Sequence, residues 1–412
     1  MKTGLKGLML TTALVALTAL PAFAQDNENP FLRGRYTAVT DRGQPEFDPE
    51  PIHVSTFDVL ASVGLSAAYN DNIFATPNNE VSDTILRAQP DIVARSNWSN
   101  NELVAGASVD HKEYLDNGDE SATDYDAFAN GRLDVTRNFS IGLGGNAGHR
   151  TEERYAAASF ATTDRASYDY TGAFVRGLYR VDRFQVEGTV GVTDDNFDQA
   201  IQKAIRDNTT TYVNGRVSYA ISPDLAVFVQ ARRSELDYTD NTRDGTRTTV
   251  DAGVNFELAA PFRGEIAIGS FEENRDDPTL GKFDGLNIAA NVQWFPTQLT
   301  TVTFSADRGV SDTGLLTAAS AVNTAYGVRV DHELFRNVLL FARLRDETYD
   351  YQGVSIDRKD EALIGGLGAA WKLNKHMRLE TEYTLRSQDS SGVNAGPSLD
   401  QNVISIGLRL FP

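Results

Sequence analysis

From residue 56 to the end of the chain, apolar and polar side chains alternate almost one for one. In "TTVDAGVNFEL" the residues Val250, Ala252, Val254, Phe256 and Leu258 share one parity, while Thr249, Asp251, Gly253, Asn255 and Glu257 share the other. "GLNIAANVQWF" and the closing "DQNVISIGLRLFP" repeat the form. A strand sends successive side chains to opposite faces, so each segment has one greasy and one wet face. The segments run to about a dozen residues, roughly twice the 5–6 usual for strands of soluble domains. They are long enough to cross a bilayer at a tilt of ~40°.

The breaks between segments come in two alternating kinds. Tight ones such as "VTRNF", "RVDRF", "ISPDL" and "LNKHM" alternate with longer ones around 70–82, 115–123, 152–166, 195–208, 238–246, 274–283, 312–321, 350–358 and 388–400. Eight tight turns and nine longer loops predict eighteen strands, within a range of sixteen to twenty. An even number of strands, with short turns at one end and long loops at the other, describes a transmembrane antiparallel up-and-down β-barrel of the bacterial outer membrane. A set of soluble β-sandwiches would need shorter strands. In lipid only helices and closed barrels leave no backbone group unpaired. The last strand must therefore pair with the first, which explains why alternation persists to Leu410.

The first residues divide the chain further. Lys2 and Lys6 precede a short apolar run and Ala22-Phe23-Ala24. This reads as a secretory leader, residues 1–24, cleaved after Ala24. Residues 25–55, rich in Pro and charge, read as an extended periplasmic segment and possible plug at the mouth. The barrel proper spans 56–412. Beyond residue 25 no window is long and apolar enough for a spanning helix. Cysteine is absent from the 412 residues, so no disulfide stabilises the exported chain.

With the N-terminus in the periplasm, the short turns lie inside and the long loops outside. Trp98, Trp294 and Trp371 then mark the periplasmic girdle, and Tyr114, Tyr238 and Tyr349 suit the outer one. The net charge is −19, which excludes a basic nucleic-acid surface. The acidity concentrates in the long loops, and the short turns are slightly basic. Outer-membrane lipid and lipopolysaccharide, approached through divalent cations, are the partners this rim suggests.

Inward parity supplies the lumen with Arg87, Asp91, Arg95, Arg132, Asp134, Arg216, Arg232, Asp251, Asp307, Arg343, Arg345, Arg378, Glu380, Glu382 and Arg386. Mixed signs can form arginine–carboxylate ladders that stiffen a polar wall. Alternatively, the fixed donors of arginine can guide sugar hydroxyls or carboxylates. No loop exceeds about fifteen residues, and none stands out as a constriction. Of the five histidines, His111, His149 and His332 share parity with lipid-facing residues, while His53 and His376 lie in the linker and a turn. No histidine meets a serine on the lumen side, and there is no metal spacing, P-loop or G-x-S-x-G. An enzyme, a cofactor or a metal centre is not expected.

Certain stretches are distinctive: "NPFLRGRY"; "SVGLSAAYNDNIFATPNNEVSDTILRAQPDIVARSNWS", with "YNDNIF" at Tyr69 to Phe74, then Ser82-Asp83 and Pro90; and "RLDVTRNFSIGLGGNAGHRTEER". On these the chain resembles the alphaproteobacterial outer-membrane proteins grouped as putative beta-barrel porins. It departs at the linker, where "EPIHVSTFDV" stands in place of a Pro-Leu-Gly phrase. The ending resembles the terminal aromatic signature read by the outer-membrane assembly machinery, except that Pro412 follows Phe411. The family resemblance implies a pore accompanying exopolysaccharide or capsule secretion, with periplasmic export components as partners. Three functions follow in order of expectation: a polysaccharide export conduit, a diffusion porin for small hydrophilic solutes, and a surface-structural or adhesion barrel of a Gram-negative outer membrane.

Overall fold

A computed structural model describes residues 34–412 apart from 157–163, 259–260, 279, 316–317, 319 and 354–355. The leader and residues 25–33 lie outside the described residues. A three-residue strand, β1 (Ile52–Val54), precedes eighteen long ones. The first six are β2 (Phe57–Asn70), β3 (Asp83–Ser96), β4 (Glu102–Tyr114), β5 (Ala122–Asp134), β6 (Phe139–Thr151) and β7 (Ser167–Val181). Then come β8 (Phe184–Phe197), β9 (Asn208–Ser222), β10 (Leu225–Tyr238), β11 (Gly245–Glu257), β12 (Phe262–Arg275) and β13 (Lys282–Thr297). The wall ends with β14 (Thr300–Asp312), β15 (Ser320–Phe335), β16 (Val338–Gln352), β17 (Lys359–Asn374), β18 (Met377–Ser391) and β19 (Leu399–Leu410).

Each long strand pairs antiparallel with the next, and β19 returns to β2. The sheet is closed, and it has the eighteen strands that the alternation of turns and loops predicts. Hydrogen bonding continues to the last residues: Phe411 N donates to the His376 carbonyl at 2.9 Å. β3 is registered to β2 along its whole length, but its pairing with β4 skips Gln89 and Pro90. Proline has no N–H to give that neighbour.

Burial is inverted relative to a soluble domain. Leu143, Val175, Leu367 and Ile404 are more than half exposed on the outside, while Asp251, Glu273 and Glu347 are buried inside. Such a surface is stable where lipid, not water, receives the apolar face. At the short-turn end Trp98, Trp294 and Trp371 point outward as expected. Phe57 meets Trp98 edge-on and Phe262 stacks on Trp294. The expected outer girdle is different. Tyr114 and Tyr238 are buried, and Tyr349 shares the parity of buried Glu347 and Tyr351, so all three face inward. Their strands carry the opposite parity at that height, and Tyr69 and Tyr125 take the outward positions.

The join between first and last strands is short. β19 registers with β2 only from Val63 to Asn70, through eight pairs. The rest of that edge of β2, Phe57 to Val59, is taken by β1, which folds back through Ser55 at φ 55°. At the long-loop end the same join is clamped by the first loop. Fully buried Asn72 donates from Nδ2 to the carbonyls of Thr76 (2.8 Å) and Asp400 (2.9 Å), and its own carbonyl accepts from Gln401. Asp71 accepts from the backbone and side chain of Asn402.

Candidate functional site: the barrel lumen

The arginines picked out from parity all lie on the inward face of their strands, and most meet a carboxylate there. Arg87 is paired with Asp110, and Arg95 and Arg132 share Glu102, with Asp134 beside Arg132. Arg216 forks onto Glu265 through 2.7 and 2.9 Å bonds and lies 3.6 Å over the Phe228 ring. Arg343 meets Glu382 at 2.6 Å, Arg345 meets Glu347 at 2.6 Å, and Arg378 meets Glu380 at 2.8 Å. Asp91 is held by Arg409 at 2.9 Å. Asp251 accepts from Gln230 and Asn287. Arg232 has no carboxylate partner among the described residues; it rests on the Tyr212 ring and bonds Ser234. Asp307 makes no side-chain hydrogen bond among the described residues. The wall is thus laced by charge-assisted bonds, some within a strand and others spanning one to three strand steps, which fix side chains that would otherwise sweep the bore.

Two features narrow this lumen. The first is the loop between β6 and β7. Tyr155 reaches Arg386, whose guanidinium carbon lies 4.2 Å from the ring centre. Arg386 stands on the inner face of β18, six strands round the wall from β6. The loop therefore cuts across the interior. Its base is held by Lys112 to Glu153 at 2.7 Å and by Arg154 and Arg165 on buried Glu120. Burial pushes the Tyr155 phenol well above its ordinary range, so it stays neutral. A second loop supports the first. The helix α1 (Ala200–Arg206) buries Gln202 and Arg206, and Arg206 forks onto Glu152 at 2.6 and 3.0 Å. The expectation that no loop constricts the bore is corrected here. Docking across a barrel depends on partners on distant strands, and loop length does not reveal them.

The second feature is the segment before β1. Gly34, Arg35 and Tyr36 all donate backbone N–H groups to the carboxylate of Glu257, at 2.6 to 3.3 Å. Arg263 donates to the Tyr36 carbonyl, and the Tyr36 ring stacks on Phe295 at 5.2 Å. Val39 N donates to Thr301 Oγ1, Arg42 pairs with Glu333, and Lys372 pairs with Asp48. Glu257, Arg263, Phe295, Thr301, Glu333 and Lys372 occupy inward positions at the short-turn end of β11, β12, β13, β14, β15 and β17.

A profile of the family described as "Putative beta-barrel porin 2" matches residues 44–411. The chain belongs to this family. No curated protein matches its sequence. Among solved structures, the barrel is similar to OprD of Pseudomonas aeruginosa, with TM-score 0.50 and 11% identity over 89% of this chain and 99% of that one. It is also similar to OccK2 (OpdF) of Pseudomonas aeruginosa in complex with glucuronate, with TM-score 0.50 and 12% identity over 86% of this chain and 98% of that one. At such identities the likeness is one of fold. Family and fold together make the chain an integral outer-membrane barrel of porin type.

Parity reading missed Tyr155, Glu120, Arg154, Arg165 and Arg206, because it covers strands and these residues sit in loops. The one available signal was the density of charge and aromatic residues in "TEERY" within the longest loop.

Proposed function

We propose that this porin-family barrel is a passive diffusion channel for small hydrophilic solutes, with its short turns in the periplasm and its long loops outside a Gram-negative outer membrane. The observation that carries the reading is the contact of Tyr155 with Arg386 across the interior. A conduit for a hydrated polymer needs an open bore along its whole length. This bore is crossed by a docked loop and edged by a second segment, and its polar wall suits solutes the size of a sugar. OccK2, a barrel of similar form, is described in complex with glucuronate, a molecule of that size. The polysaccharide conduit suggested by family resemblance therefore ranks second.

Liposome swelling with the purified barrel tests the reading. Monosaccharides should enter readily and polymeric dextran should be excluded. Tyr155→Ala should speed entry and raise the size cut-off. Equal permeation of dextran and monosaccharide by the unaltered barrel would favour the polymer conduit. Absence of swelling with every solute would remove the channel reading.

A further inference from the structure

The segment before the barrel follows the wall in order. Asp48 meets β17, Arg42 meets β15, Val39 meets β14, Tyr36 meets β13 and β12, and residues 34–36 meet β11. Arg35 then reaches Asp224 in the turn between β9 and β10 at 2.7 Å. At the other end Glu50 pairs with Lys375 in the turn between β17 and β18. Six strand steps separate β17 from β11. At ~4.8 Å between strands and a tilt of ~40° they occupy ~38 Å of rim. The fourteen residue steps from 34 to 48 can span at most about 46–50 Å when extended. The lengths match a chain lying along the rim and leave little slack for one that balls up in the centre. Residues 34–48 therefore lie along the rim as part of a ring.

The contacts are of several kinds. Ala38 and Val39 are buried against the wall, but they are small. Beyond these, the Tyr36 ring stacks on Phe295 and Val39 N bonds Thr301, and the remaining anchors are charged: the Glu257 carboxylate in its three N–H groups, Arg42 on Glu333, Asp48 on Lys372, and Glu50 on Lys375. A strand of the wall is held by a full ladder on each edge. This segment has no ladder before β1, so its hold rests on one aromatic stack, two small buried side chains and a few hydrogen-bonded and charge-assisted contacts. Of these, Glu50 on Lys375 is exposed and weakens with ionic strength, while Glu257, Glu333 and Lys372 are buried and their contacts are screened much less. The segment is also tethered at only one described end, through β1 to β2.

We propose that residues 34–50 form a hinged strap that half-lines the short-turn mouth and limits flow through it, with Glu257 and Lys372 as its latches and β1 as its hinge. The proposal rests on the channel reading and adds a second, movable restriction opposite the docked loop. When the strap lifts, the mouth widens by the thickness of a polypeptide chain along half its rim.

Single-channel recording in planar bilayers tests this with the full chain. Native cysteine is absent, so Val39→Cys with Thr301→Cys introduces a lone pair of thiols at a point where Val39 is buried against the wall and its backbone N–H bonds the Thr301 side chain. The unaltered barrel and the reduced double variant should both show excursions to a larger conductance. Oxidation should abolish the excursions, and reduction should restore them. Glu257→Gln combined with Lys372→Gln should raise the time spent in the wide state several-fold. Deleting 34–50 should make the wide state permanent; if that variant fails to fold, the cross-linked pair still decides. Identical traces for oxidised and reduced protein, or latch variants that behave as the unaltered barrel, would overturn the strap while leaving the channel standing. No conductance from any form, the deleted one included, would overturn both.

Discussion

Asn72 shows what a single side chain does in this barrel. It lies in "YNDNIF", the stretch on which the family resemblance chiefly rests. The motif was legible in the sequence but its purpose was not, because its partners Asp400 and Gln401 sit more than three hundred residues away. In the fold, Asn72 bolts the first loop to the last strand, and Asp83 does similar work within the first loops by accepting from Asn117 N and Nδ2 at 2.9 Å each. Asn72 is fully buried, so losing its amide strands several partners in an unsatisfied state. At ~1 kcal/mol net per bond, Asn72→Ala should destabilise the barrel by roughly 2–4 kcal/mol. The change should appear as a lower urea midpoint for unfolding in lipid. Solute entry through the surviving folded barrels should be unaltered, since the Asn72 side chain is fully buried and bonds Thr76 and Asp400, not the docked loop. Arg386 presents the reverse case. Parity placed it on the inner wall, but nothing local announced that Tyr155 would cover it.

Strands and loops differ in how far local sequence determines them. The eighteen long strands follow from a period of two, which the chain repeats at every crossing, and the long loops begin and end within about four residues of where the breaks in alternation put them. Position in space is another matter. The described ends of the 152–166 loop dock through ion pairs to β4 and to the neighbouring loops, and no periodicity encodes those pairs. One of them makes the docking pH-dependent. Burial alone would raise the Glu153 carboxyl, but the Lys112 ammonium at 2.7 Å more than offsets this and holds it below its ordinary 4.5. A depressed docked-state value means that the pair stabilises docking fully above the ordinary value and loses hold as pH falls through the docked one. Conductance should therefore stay level from about pH 8 to about pH 5 and rise only below about 4.5. Lys112→Gln should shift the rise upward. A rise already complete near neutral pH would show that another group controls the loop.

A closed barrel has no free edge, yet it has a place where it was closed last. The β19–β2 join has eight registered pairs, against fifteen between β17 and β18. The molecule reinforces it twice, at the long-loop end through Asp71 and Asn72 and at the short-turn end through β1 on the vacant edge of β2. That closure was expected from the alternation running to Leu410. The reinforcement was not, because β1 is only three residues long and sits in a stretch whose composition reads as linker. Local opening should follow the number of bonds that must break together. Backbone amides of β19 and the first half of β2 should thus exchange with deuterium before those of β17 and β18 in the lipid-embedded protein. Replacing Ile52–Val54 by glycines removes the reinforcement at one end only. It should speed exchange at Phe57 to Val63 while leaving Tyr69 and Asn70 near the Asn72 clamp slow. Uniform exchange around all eighteen strands would mean that the join is as firm as any other. In that case β1 would serve only as the hinge of the segment that precedes it.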